Sequence, residues 1–190
     1  MSEEIQAAPV PAEPEAPSLI QPLPEEWQAA VGELILEGCL RRKVPEVVTT
    51  AEQIIPLLER LRGRAEPYNR LTDMCGADLG DHLQVLYFLC QGYTGKLLTV
   101  KVNLPRDGRL PTATGLYALA NWAEREIMEM FGVTFLGHPE HAHLLLPEGW
   151  PGYPLRKDYV YDRESEWTRP DPRREDPGQA LGWGEAEEDS

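Results

Sequence analysis

Four charged residues in one short run, Glu124, Arg125, Glu126 and Glu129 in "AEREIMEMFG", are the first candidates for chemistry. On a helix Glu126 and Glu129 stand three apart and Arg125 four before Glu129, so these side chains are neighbours. Paired carboxylates perform acid–base work when burial drives their pKa values apart. The same cluster also suits a solvated, ion-paired helix face, or a face dried by another subunit whose cations meet it across the joint. His138, His141 and His143 follow as H-x-x-H-x-H, close enough to suggest a metal but without fixed geometry on a loop. A hydrolytic zinc would also want a carboxylate base, for which Glu140 and Glu148 are the nearby candidates. A histidine-bound metal hydrolase is therefore one reading of this region.

Other chemistry leaves no motif. The sequence has no G-x-S-x-G elbow, no cysteine with a motif-spaced histidine, no G-x-G-x-x-G after a strand and no G-x-x-x-x-G-K-[ST]. Cys39, Cys75 and Cys90 are odd in number and include no C-x-x-C pair, which argues against a disulfide framework, a zinc knuckle or an iron–sulfur cluster. The expectation is a chain without a cofactor of its own.

The stretch "GYPLRKDY" is built differently. Pro154 fixes its own φ and pushes Tyr153 toward an extended shape, so this segment runs flat along a surface rather than as a helix. Arg156 offers a planar fork for a carboxylate, with Lys157 and Asp158 beside it. Trp150, Tyr153 and Tyr159 add apolar area with polar tips, the residue types enriched at interface hot spots. A docking strap and an ordinary solvent loop are both compatible with it.

These groups need a frame. Residues 1–24 are rich in Pro, Ala and Glu and read as a disordered extension. Apolar spacing predicts an amphipathic helix from Trp27 to Leu40, a short strand over "VPEVVTT", and a helix within 51–62 carrying Leu57, Leu58 and Leu61 and stopped by Gly63. Pro56 blurs where that helix begins and fits best in its first turn. "NRLTDMCGAD" reads as a strand, and "HLQVLYFLC" and "KLLTVKVNL" as an antiparallel hairpin joined by "QGYTG". After the loop "PRDGRLPTATG", a third helix runs from about Leu116 to Phe131, with Leu116, Leu119, Ala120, Ala123, Ile127 and Met130 in one stripe and Gly132 at its end. The order predicts an α+β fold over residues 25–137, an antiparallel sheet with flanking helices, then an irregular tail over 138–190.

Charge narrows the function classes. The net charge is −14. Residues 1–26 hold six acids and no bases, and residues 162–190 ten acids and four bases, leaving −2 for the middle. Acidic ends disfavour nucleic-acid and anionic-lipid partners. No run approaches the roughly 18 apolar residues of a membrane span, so membrane association would come through a partner. The leading residues are acidic where a transit peptide is arginine-rich, which makes the cytoplasm the expected compartment.

Two linked motifs carry a resemblance. "EREIMEMFGVTFLGHPE" follows the pattern E-R-E-x-x-D-x-x-G-[IV]-x-F-x-G-H-P-[DN] through Glu124, Arg125, Glu126, Gly132, Val133, Phe135, Gly137, His138 and Pro139. "GYPLRKDY" follows G-[HYF]-P-L-R-K-D-[FY] through Gly152, Tyr153, Pro154, Leu155, Arg156, Lys157, Asp158 and Tyr159. The chain thus resembles the C-type subunit of proton-pumping NADH:quinone oxidoreductase, respiratory complex I, and its J-type counterpart in chloroplasts and cyanobacteria. The likeness runs over about residues 66 to 160. Glu129 stands where aspartate is usual, and His141-Ala142-His143 where Leu-Arg-Arg is usual.

The resemblance implies a non-catalytic subunit of the peripheral arm, on the cytoplasmic side of the membrane, clasping the D-type subunit that helps to form the quinone cavity. NADH, FMN, iron–sulfur clusters and quinone would then belong to partner subunits. The implied docking residues are Glu124, Arg125, Glu126, Glu129, Phe135, His138, Pro139 and Trp150, followed by the strap residues Tyr153, Pro154, Leu155, Arg156, Lys157, Asp158 and Tyr159. Trp167 and Trp183, isolated in a charged proline-rich tail, are expected to anchor that tail on a partner. A sister reading keeps the role and changes the complex, since related subunits occur in energy-converting hydrogenases and in ferredoxin- or F420-linked dehydrogenases.

Overall fold

The computed structural model describes residues 20–147 and 149–160. Strands β1 (Ile20–Pro22), β2 (Glu37–Arg41), β3 (Val44–Thr49), β4 (Arg70–Asp78), β5 (Leu83–Cys90) and β6 (Leu97–Leu104) form one sheet in the order β1-β2-β3-β6-β5-β4. Helices α1 (Glu25–Val31), α2 (Ile54–Arg62) and α3 (Ala120–Phe131) flank it. Short strands β7 (Arg109–Pro111) and β8 (Thr134–Leu136), one on each side of α3 in the chain, pair in parallel. The α+β class holds, but the sheet is mixed: β3 and β6 run parallel at its centre, where the sequence suggested an antiparallel sheet.

The core follows from periodicity. On β5 every second residue, Leu83, Val85, Tyr87 and Leu89, is buried, and on β6 so are Leu98, Val100, Val102 and Leu104. Ile54, Leu57, Leu58 and Leu61 line one face of α2 at helical spacing and join the same core. Each such side chain contributes about 1.5–3 kcal/mol by leaving water. Pro56 occupies the third helical position, where its missing N–H has no intrahelical acceptor anyway. Gly132 closes α3 at φ 70°, a left-handed conformation glycine adopts without strain.

Several expectations change. The helix from Trp27 ends at Val31, a 3-10 turn covers Gly32–Leu34, and the chain then turns into β2. The β2–β3 hairpin closes through Arg42 and Lys43, both at positive φ (49° and 70°). Two such residues make the primed turn that matches strand twist, but Asn-Gly usually announces it and Arg-Lys does not. Residues 20–22 of the leading extension are a strand, because Ile20–Pro22 pair with Cys39–Arg41. Helix α3 begins at Ala120 rather than Leu116, which leaves Leu119 42% exposed and outside the expected stripe. Finally, "GRLP" and "VTFL" contain β7 and β8, strands too short to register as a pattern. Among the described residues no helix is long and apolar enough to cross a membrane.

Candidate docking site

Helix α3 carries the charged cluster, and its side chains serve the protein's own loops. Glu124 is fully buried; it accepts the Thr112 hydroxyl at 2.6 Å and the Ala113 N–H at 2.7 Å, which fixes the entry into the helix. Burial raises its pKa, and those two hydrogen bonds pull the other way. Arg125, 8% exposed, donates to the carbonyls of Ala142 (3.0 Å) and His143 (3.0 Å) and pairs with Glu140 at 3.2 Å. One turn on, Glu129 accepts the backbone N–H groups of Leu144, Leu145 (2.9 Å) and Leu146 (2.9 Å). A cation that takes carbonyls and an anion that takes amides thus grip successive parts of one loop. Charge-assisted bonds of this kind contribute about 1.5–3 kcal/mol each, enough to offset the desolvation of the carboxylate.

His138 completes this side. Its Nδ1 accepts the Glu140 N–H at 3.0 Å, so Nε2 carries the proton and donates to the Asn121 carbonyl at 3.0 Å. Both nitrogens are thereby engaged with the chain. His141 lies with its ring centroid 6.0 Å away, and among the described residues no three His, Cys, Asp or Glu side chains converge as metal ligands. The H-x-x-H-x-H spacing therefore does not gather into a ligand set.

The strap is seated on the domain by a second polar network. Arg156 Nε donates to the Phe131 carbonyl (2.6 Å) and its terminal nitrogen to the Arg106 carbonyl (2.7 Å), while the guanidinium lies 4.5 Å above the Tyr153 ring. A Cβ at Gly132 would fall 2.5 Å from that ring, so glycine there admits the strap. Asp78, at the end of β4, accepts the N–H of Lys157 (2.9 Å) and of Gly80 (2.8 Å) and the Arg106 guanidinium. These bonds hold its pKa below the usual aspartate range, the backbone amides first. Arg106 also pairs with Asp158 at 2.9 Å.

Several of the expected docking residues are engaged within the chain itself. The Arg156 fork meets the domain's own carbonyls, those of Phe131 and Arg106. Glu124, Arg125 and Glu129 turn inward or onto the 140–146 loop, because irregular backbone presents N–H and C=O groups that a charged side chain of the right sign can satisfy. Phe135 is 0% exposed and belongs to the core, since β8 presses it under α3. What stays outward is apolar or lightly held: Glu126, Pro139, Lys157 and Asp158 are exposed, Tyr153 is 40% and Leu155 54% exposed, and Pro154 and Tyr159 are half-buried. Trp150 and Tyr153 wall a cleft of about 320 Å³ with Met128, His141 and His143. Trp167 and Trp183 lie outside the described residues.

Three residues escaped the sequence reading. Asp78 and Arg106 anchor the strap, yet Asp78 and Lys157 are 79 positions apart and no local spacing marks them. Trp122 stands 69% exposed on α3, and a helical wheel centred on the core stripe would have placed it outside.

Fold and site together define an α+β scaffold whose charged motifs shape a surface of loop and strap. The chain belongs to the family described as respiratory-chain NADH dehydrogenase, 30 Kd subunit, whose model matches residues 47–165. It is 38% identical over 132 residues to the C-type subunit of NADH-quinone oxidoreductase of Rhizobium rhizogenes, covering 67% of this chain and 66% of the relative. It is also 38% identical over 130 residues to the C/D-type chains of NADH-quinone oxidoreductase of Ectopseudomonas mendocina and Yersinia pestis, of which it spans 22%. Among solved structures, a chain of the membrane-bound sulfane sulfur reductase, an archaeal respiratory membrane complex, is similar at a TM-score of 0.60 and 25% identity, over 72% of this chain and 84% of that one.

Proposed function

We propose that this protein is a structural and assembly subunit of the peripheral arm of a proton-translocating NADH:quinone oxidoreductase. Its principal partner in this reading is the D-type subunit at the quinone site, and the complex places it on the cytoplasmic face of the membrane. Electrons pass through its neighbours, and it holds no redox cofactor. The observation that carries the reading is the strap: a segment pinned to the domain through Arg156 and Asp78 still turns Tyr153 and Leu155 outward, with Val160 84% exposed at its end. Apolar side chains held rigidly in water favour a partner surface, because little ordering entropy remains to be lost on docking. The relatives named C/D support a D-type partner, since in them one name covers both parts of a single chain.

Co-purification tests this. Tagged protein should bring down a D-type subunit in mild detergent, and the double change Tyr153→Asp with Leu155→Asp should cut recovery at least tenfold while the circular dichroism spectrum stays unchanged. Full recovery with that variant rules out the strap as the docking surface. Changing Trp167 and Trp183 to alanine should weaken recovery by a smaller factor. The likeness to the sulfane sulfur reductase chain favours one second reading, the same role in a related membrane-bound electron-transfer complex. Mass spectrometry of the co-purified proteins separates the two.

A further inference from the structure

Residues that alternate with the core positions of β5 and β6 form the opposite face of the sheet. The register sets Glu46, Thr99, Phe88 and Asp73 side by side on it, across β3, β6, β5 and β4. Toward the β2–β3 turn this face opens into a groove of about 570 Å³, with Arg41, Arg42, Val44, Phe88 and Leu97 among its walls. Val44 and Phe88 are half-buried and Leu97 is 49% exposed, so an apolar strip lies open to water. The carboxylates of the groove are already engaged. Glu46 meets Lys101 at 2.6 Å and Arg41 at 3.2 Å, and Asp73 accepts the Met74 N–H at 2.8 Å. Arg42 at the turn and Arg70 at the β4 edge are exposed and make no ion pair among the described residues. The groove therefore suits an apolar strip that carries anions.

The chain tethers such a strip at the rim. Ile20 pairs with Arg41, so the residues that precede β1 are attached beside Arg41 and Arg42. Residues 9–19, "PVPAEPEAPSL", hold four prolines, two glutamates and no base. Prolines lack the N–H that one more strand would need, and they favour the polyproline II helix, with three residues per turn. At that period Pro11, Pro14 and Pro17 share one face, while Glu13 and Glu15 stand off it. Ten residues in this form reach about 31 Å, and crossing the sheet from β2 to β4 takes about 19 Å.

We propose that residues 9–19 lie across this face as the chain's own cover, with Pro11, Pro14 and Pro17 in the groove against Phe88 and Leu97 and with Glu13 and Glu15 toward Arg42 and Arg70. The tether favours this occupant over any other chain, because a short link holds the segment at an effective concentration on the order of millimolar. Covered in this way, the apolar strip is withheld from other chains. The cover uses none of the strap residues and stands whether or not the docking reading holds.

The test uses the full chain, labelled with carbon-13 and nitrogen-15. Cross-relaxation should connect the ring protons of Pro11, Pro14 and Pro17 with the Phe88 ring and the Leu97 methyls. In a mixture of labelled and unlabelled chains, those contacts should remain within one chain. The native thiols give a second readout. Cys90 pairs with Leu97 and lies half-buried in the same face, while Cys75, beside Leu86, lies about 13 Å further along the strands and serves as the reference. Replacing the three prolines together (Pro11→Ser, Pro14→Ser and Pro17→Ser) should speed alkylation of Cys90 by a bulky maleimide about tenfold, the change expected when a cover in place about nine-tenths of the time is lost. The Cys75 rate should stay unchanged. Arg42→Glu should speed Cys90 by a smaller factor. Absence of the contacts, contacts between chains only, or a Cys90 rate that the triple variant leaves unchanged or raises equally at Cys75 would each overturn the proposal. Should a variant fail to fold, the contacts in the unaltered chain decide alone.

Discussion

The central sheet and the segment from His138 to Val160 are ordered by opposite means. In β5 and β6 every inward position is aliphatic or aromatic, and stability comes from surface withdrawn from water. The segment 138–160 contains no helix or strand among its described residues. It is held by a few charged side chains, Arg125, Glu129, Asp78 and Arg156, that bond its backbone groups or reach from it to the carbonyls of the domain. An apolar core tolerates small repacking, because contact is non-directional. A backbone group aimed at one carboxylate depends on that carboxylate, so sensitivity in the irregular segment concentrates at the gripping side chains Arg125, Glu129, Asp78 and Arg156.

This contrast yields graded expectations. Leu98→Ala should lower the free energy of global unfolding by about 3 kcal/mol, read from the urea midpoint with an unchanged slope. A loss confined to the strap would break the comparison. Glu129→Ala should cost about 2 kcal/mol locally, seen as faster amide exchange at 144–146 with the urea midpoint nearly unmoved. Arg156→Lys keeps the charge and loses the fork, and should cost about 1 kcal/mol at the amides of Leu155 and Arg156. The smallest effect is acid-dependent. Because the folded state holds the Asp78 pKa below its unfolded value, its contribution is complete above about pH 4 and is lost as pH falls through the lower folded value. Exchange at Gly80 and Lys157 should therefore rise in acid before the sheet opens, and simultaneous opening would show that the two regions are not separate.

Sheet and motifs were unequally legible. Strands β4, β5 and β6 and helix α2 lay close to their expected limits, since alternation and helical spacing are local properties of consecutive residues. The ends of α3 show the limit of that logic. Gly132 marked one end by its left-handed backbone, whereas the start is set by Glu124 bonding back to Ala113, a contact that no spacing announces. The two family motifs cover helix α3, the loop after β8 and the strap, but do not show where their side chains point. Arg156 looks like a free fork in sequence because its acceptors, the carbonyls of Phe131 and Arg106, are backbone atoms and have no letter.

The pairing of β3 with β6 carries one more consequence. Residues 20–49 form a meander, residues 70–104 form another, and the two meet along a single parallel seam from Glu46–Thr99 to Thr49–Val102. Strands that close so large a loop pair late, because chain entropy must be lost before the contacts form. Each meander is contiguous, so a chain severed in the connection between α2 and β4 leaves two fragments with complementary edges, and the seam is where they would rejoin.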